Sequence, residues 1–165
     1  MDYVAAAETP LGPVTLASDG TALIGLWFQG QAHENAGLAP ETEARELPVF
    51  AQTRRWLALY FAGERPDFAP PLAPRGTAFQ RRVWDALERI PYGSVTSYGA
   101  LAKELGCGSP RALGQAVGRN PISLLIPCHR VLGKDSKPTG YAGGLWRKEA
   151  LLRLEGALGK EDTWN

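Results

Sequence analysis

The stretch LLIPCHRV, Leu124 to Val131, sets a cysteine, a histidine and an arginine in a row directly behind a proline. A buried cysteine is usually an inert small hydrophobe, but two neighbouring cations lower a thiol's pKa toward the nucleophilic thiolate. Cys128 and His129 therefore read as a nucleophile and its base. This reading carries a geometric condition. On a continuing strand the two side chains would point to opposite faces, so cooperation requires Cys128 at a strand end or a tight turn, with His129 close enough to take its proton directly or through one water. Pro127 favours such a break. The other histidine, His33, lies in an acidic stretch. The competing reading is a packed, unreactive cysteine beside a surface histidine.

The elements before Cys128 must position it. ISLLIP reads as a buried strand, and Asn120-Pro121 as the end of a helix, since a residue before proline is pushed out of the α region. That helix, in SPRALGQAVGRNP, has two unlike sides. Ala112, Leu113, Ala116 and Val117 fall on one side and predict a core face; Arg111, Gly114, Gln115 and Gly118 fall on the other. Each helical glycine costs about 1 kcal/mol relative to alanine, so the smooth side must serve close approach. Two partners are open, a neighbouring helix or a DNA minor groove only about 6 Å wide. Together with YGSVTSYGALAKELG, whose helix starts after Thr96 or Ser97, the pattern resembles a helix-turn-helix with its turn at Gly106 to Ser109.

The wider organisation is bipartite. Residues 1–74 carry 4 basic and 9 acidic side chains, residues 75–153 carry 13 and 5, and the tail from 154 carries 1 and 3. An acidic part joined to a basic part predicts two domains, 1–74 and 75–165, the second facing a polyanion. In the first, TPLGPVTLASDGTALIGLWF predicts a β-hairpin turning at Asp19-Gly20, residues 29–47 a loop, and PVFAQTRRWLALYFAG a helix stopped by Gly63. Pro66, Pro70, Pro71 and Pro74 mark a stiff, extended linker. After it, TAFQRRVWDALERIP predicts an amphipathic helix with Thr77 as N-cap and Pro91 as terminator. No apolar run is long enough for a signal peptide or membrane span, and two cysteines exclude a disulfide scaffold, so a reducing cytoplasm is expected.

PYGSVTSYGALA, PRALGQAVGRNP, LLIPCHRV and TGYAGGLWRKEALLRLEG, with TPLGPVTLASDG more loosely, resemble the O6-alkylguanine-DNA alkyltransferases over essentially the whole chain. The resemblance implies an α+β protein, with an RNase H-like N-terminal domain and a winged helix-turn-helix C-terminal domain. It implies a stoichiometric transfer of an alkyl group from O6 of guanine, and from O4 of thymine, to Cys128. His129 would deprotonate the thiol, Glu155 would hold the imidazole, and Asn120 would tie the recognition helix to the active-site turn. Tyr98 would crowd the phosphate beside the target, while Arg111 intercalates and Ala112, Gly114, Gln115 and Gly118 face the minor groove. Pro127, Tyr141, Ala142 and Gly143 would wall the guanine pocket. The implied partner is double-stranded DNA carrying alkylated guanine, bound by a monomer without cofactor.

Two departures bear on these expectations. Some members carry serine where this chain has Ala142, so backbone N–H groups must serve O6. Members with a zinc-bound N-terminal domain carry cysteine there; this chain has none before Cys107, which predicts no structural metal. A DNA-binding module without chemistry and a cysteine hydrolase remain as alternatives, the basic helix-turn-helix weighing against the second.

Overall fold

In the computed structural model, which describes residues 1–133 and 139–158, the apolar runs near the start of the chain pair as a four-stranded sheet. β1 (Asp2–Ala7), β2 (Val14–Ser18), β3 (Leu23–Phe28) and β4 (Thr42–Ala44) lie in the order β3-β2-β1-β4, antiparallel except for β1 with β4. The hairpin turns at Asp19, whose carboxylate accepts from the N–H groups of Thr21 and Ala22 at 2.9 Å each. β1 has no counterpart in the sequence reading, because its run of small residues gives little alternation. β4 is a short strand inside the stretch expected to be loop.

All six residues of β3 are buried although it ends the sheet. Its outer edge is covered by two extended segments, as an unpaired edge must be to avoid pairing elsewhere. Leu23 N–H donates to Pro71 O and Ala73 N–H donates to Leu23 O, both at 2.8 Å. Further along, Leu26 N–H donates to Pro121 O at 2.9 Å and Ser123 N–H donates to Leu26 O at 3.0 Å. The proline-rich segment is thus extended but pinned to the sheet rather than free-standing. ISLLIP, expected as a buried strand, makes only an isolated bridge at Ile122, then turns, with Leu124 at φ 75°. A leucine rarely takes a positive φ, so the chain here departs from regular structure under tertiary constraint.

Two compact units result: Met1–Gly76 with Pro121–Leu125, and Thr77–Asn120 with the chain from Ile126 onward. In the first, α1 (Pro48–Phe61) buries Val49, Phe50, Thr53, Leu57 and Tyr60, a stripe at helical spacing. In the second, α2 (Ala78–Glu88) starts at a capping box in which Gln80 N–H donates to Thr77 Oγ1 at 3.1 Å and Thr77 N–H donates to Gln80 Oε1 at 3.0 Å. Its buried Trp84 donates from Nε1 to Ala116 O at 2.9 Å, tying it to α4 (Pro110–Gly118). α3 (Tyr98–Leu105) is capped by Ser97 and ends on Gly106 in the left-handed region at φ 64°. α4 is capped by Ser109. β5 (Thr96–Ser97) pairs in parallel with β6 (Val131–Leu132), and α5 (Leu145–Leu154) follows.

Gly25 lies directly beneath a buried indole. A Cβ there would stand 2.1 to 2.7 Å from three ring carbons of the buried Trp27, whose indole folds back over the glycine. Gly25→Ala should displace that indole and lower stability by about 1–3 kcal/mol, the usual cost of overpacking. A chemical denaturation midpoint checks this, and an unchanged midpoint would show that Trp27 repacks freely.

Candidate functional site

Pro127 sits at φ −82° and ψ 66°, the geometry of an inverse γ-turn. Its closing bond runs from Cys128 N–H to Ile126 O at 2.8 Å. The same carbonyl accepts from Asn120 Nδ2 at 2.7 Å, so the end of α4 clamps the turn. Cys128–Arg130 then form one 3-10 turn, which rotates successive side chains instead of alternating them. β6 begins at the next residue, and its pairing with β5 brings Tyr98, the residue after β5, to the same place.

His129 and Glu155 are joined by a 2.7 Å hydrogen bond between Nε2 and Oε2, both side chains being fully buried. A proton on Nε2 facing the carboxylate leaves Nδ1 with its lone pair, and Nδ1 is buried without a hydrogen-bond partner among the described residues. Burial pushes the His129 pKa down, against the opposing pull of Glu155, so the imidazole is neutral near pH 7.

The thiol does not rest as a thiolate. Burial raises the Cys128 pKa, and hydrogen bonding from Asn120 and the charge of Lys148 only partly oppose this. The expectation that two flanking cations would lower it is therefore corrected on both counts. His129 is neutral, and Arg130 turns away, donating from Nε to Glu155 Oε1 at 2.7 Å, from Nη2 to Oε2 at 3.0 Å and from Nη1 to Ile90 O at 2.7 Å. This two-pronged pairing serves the carboxylate rather than the sulfur.

The cation that does serve the sulfur is Lys148, which is fully buried. It donates to Thr139 O at 3.2 Å and Gly140 O at 3.1 Å, and desolvation lowers its pKa to about 8. The sequence reading missed it, although a signal existed. Lys148, Leu151, Leu152 and Glu155 stand at i, i+3, i+4 and i+7, so two charged residues occupy the stripe that an ordinary helix fills with apolar ones.

A cavity of about 120 Å³ is lined by Tyr98, Gly114, Val117, Gly118, Cys128, Gly140, Tyr141 and Ala142. Burial, and the proximity of the sulfur, keep the Tyr98 phenol protonated by raising its pKa. A Cβ on Gly114 or Gly118 would meet nothing within 4 Å, so packing against a neighbouring helix is not what their smoothness serves. Leu113, Ala116 and Val117 are buried, Arg111 and Gln115 are exposed, and Ala112 is intermediate. Pro127 is buried in the turn but does not line the cavity, and neither does Gly143, whose carbonyl accepts from Arg147 Nη1 at 2.7 Å. Cys107 stays apart, partly exposed in the helix-turn-helix turn, with Sγ 3.3 Å from Ser109 O.

Residues 3–74 match the family model described as 6-O-methylguanine DNA methyltransferase, ribonuclease-like domain, and residues 78–157 match its DNA binding domain. The chain is 44% identical over 156 residues to a methylated-DNA–protein-cysteine methyltransferase of Methanosarcina acetivorans, covering 94% of this chain and 99% of that one. It is 46% identical over 151 residues to a protein of the same description from Mycobacterium bovis, covering 90% and 88%. Among solved structures, that of Mycobacterium tuberculosis OGT in complex with DNA aligns with a TM-score of 0.83 at 42% identity, covering 94% of this chain and 93% of that one. A buried thiol beside an imidazole paired with a carboxylate, in a basic helix-turn-helix unit following a ribonuclease-like one, accords with these matches, and the chain belongs to the 6-O-methylguanine DNA methyltransferase family.

Proposed function

We propose that this protein repairs DNA by direct reversal, with Cys128 Sγ taking an alkyl group from O6 of guanine, and from O4 of thymine, in one irreversible step. The observation that carries this reading is the arrangement of Cys128, His129 and Glu155 beside a cavity whose far wall is the smooth face of α4. The resting pair is a thiol and a neutral imidazole. As sulfur attacks the alkyl carbon, its proton passes through a water to His129 Nδ1, which makes no direct hydrogen bond to the sulfur, and Glu155 stabilises the imidazolium. The S–C bond forms and the C–O6 bond breaks. The electron pair stays on guanine, which takes up a proton and leaves as the normal base. A thioether has no labile bond for water to reopen, so each molecule acts once.

DNA reaches this cavity in our reading through the minor groove. α4 lies in the groove with Ala112, Gly114, Gln115 and Gly118 against it, Arg111 fills the gap left by the extruded nucleotide, and Tyr98 crowds its phosphate. Tyr141 and Ala142 wall the base, with backbone N–H groups serving O6 because Ala142 has no hydroxyl. The protein acts as a monomer in a reducing cytoplasm, where both cysteines stay thiols. No helix among the described residues is long and apolar enough to cross a membrane.

Incubation with a duplex carrying O6-methylguanine should add one methyl group per molecule, on the peptide containing Cys128 and not on that of Cys107. Cys128→Ser should still bind DNA and transfer nothing measurable, while His129→Ala or Glu155→Gln should slow transfer by on the order of 10². Intact-mass and peptide mapping read all of this, and sustained turnover or modification at Cys107 would refute the mechanism.

The transfer rate should be flat near pH 7, where His129 is already neutral, and should fall as pH drops through the depressed imidazole pKa. A second decline is expected above about 8, where Lys148 loses the charge that favours the thiolate. In Lys148→Met the alkaline decline should vanish and the plateau drop about tenfold, the weight of one nearby opposite charge. A pH–rate profile under single-turnover conditions checks both limbs.

Arg111→Ala should slow repair of duplex DNA much more than transfer from the free base O6-benzylguanine, since only the duplex has to be unstacked. Equal losses on the two substrates would remove Arg111 from the flipping step.

A further inference from the structure

Past the cavity wall, α5 opens with an arrangement that the proposed transfer does not use. Trp146 is 57% exposed and Leu145 before it is 40% exposed, against a core in which Trp27 and Trp84 are almost wholly buried. The indole is nevertheless held in place. It packs on Gly144, where a Cβ would come within 3.2 Å of its pyrrole edge, and the Arg147 guanidinium lies over its ring with Cζ 4.5 Å from the centroid. Arg147 is itself anchored by its 2.7 Å hydrogen bond to Gly143 O, two residues after Tyr141, which lines the cavity. A flat aromatic surface, backed by a fixed cation and continuous with the loop that walls the reacting base, has the chemistry of a nucleobase platform.

We infer that Trp146, backed by Arg147, is a stacking contact for the DNA strand that carries the lesion, at the rim of the Cys128 cavity. This rests on the reading of that cavity as the site entered by an extruded nucleotide. Extrusion leaves neighbouring bases without a stacking partner, and an indole accepts any of them because every base has a π-face. A second copy of the chain docking through the same patch fits less well, since a two-fold contact would bring one Arg147 guanidinium against the other.

The test compares wild type, Trp146→Ala and Trp146→Phe as full chains, after thermal unfolding has shown each to be folded. Single-turnover transfer is measured from a duplex carrying O6-methylguanine and from free O6-benzylguanine, and duplex affinity is measured on the Cys128→Ser background. Trp146→Ala should lose about tenfold more on the duplex than on the free base, with duplex affinity falling in parallel, and Trp146→Phe should recover most of the loss. Tryptophan emission should be quenched on duplex binding by the wild type and less so in Trp146→Phe. Equal losses on both substrates, no loss on the duplex, or a loss confined to the protein-concentration dependence of binding, as a copy-to-copy contact would give, each overturn the inference. Failure of wild type to transfer from the duplex would instead strike the reading of the site itself.

Discussion

The second unit is organised around one buried carboxylate. Glu155 accepts from His129 Nε2, from two nitrogens of Arg130 and, at 3.5 Å, from Gly93 N–H. An ionised carboxylate without such partners would be costly in an apolar interior. These bonds join the end of α5, the 3-10 turn and the loop after α2 at a single point. Within the 3-10 turn Cys128 lines the cavity while His129 and Arg130 bond to Glu155.

This arrangement separates two tasks that one cation beside a cysteine would combine. Arg130 holds the carboxylate, and Lys148, from the buried stripe of α5, supplies the charge that the sulfur feels. Burial keeps the thiol protonated at rest, which suits the single use proposed for it, since such a thiol is less open to stray electrophiles. In the proposed transfer the thiolate arises only as His129 takes the proton. Desolvation raises the pKa of the sulfur and lowers that of the imidazole, so the acid and the base are brought to complementary resting states by the same dry surroundings.

Across the cavity, α4 gives up the side chains that would fill it. Gly114 and Gly118 weaken the helix intrinsically, and Leu113, Ala116 and Val117 on its other side, with the bond from Trp84 to Ala116 O, hold it in place. Packing on one side thereby permits smoothness on the other.

Much of this was written in local pattern. Helix stripes at 3.6-residue spacing, the cap Thr77, the helix start after Thr96 or Ser97, the turn at Gly106 to Ser109, the Asp19 turn and the charge asymmetry are short-range properties, and they predicted α1 to α4 and the β2–β3 hairpin. The Cys128-His129 pair was visible as chemistry, and Glu155 entered through family resemblance, since 26 residues separate it from His129. Tertiary structure decided what no local rule reaches. ISLLIP has the composition of a strand, but only its first residues find an edge to pair with, that of β3, and the chain then turns through Leu124. The pKa of Cys128 runs opposite to the reading from its neighbours in sequence, because a thiol responds to the charges and water around it in space, and those were set by where Arg130 and Lys148 came to lie.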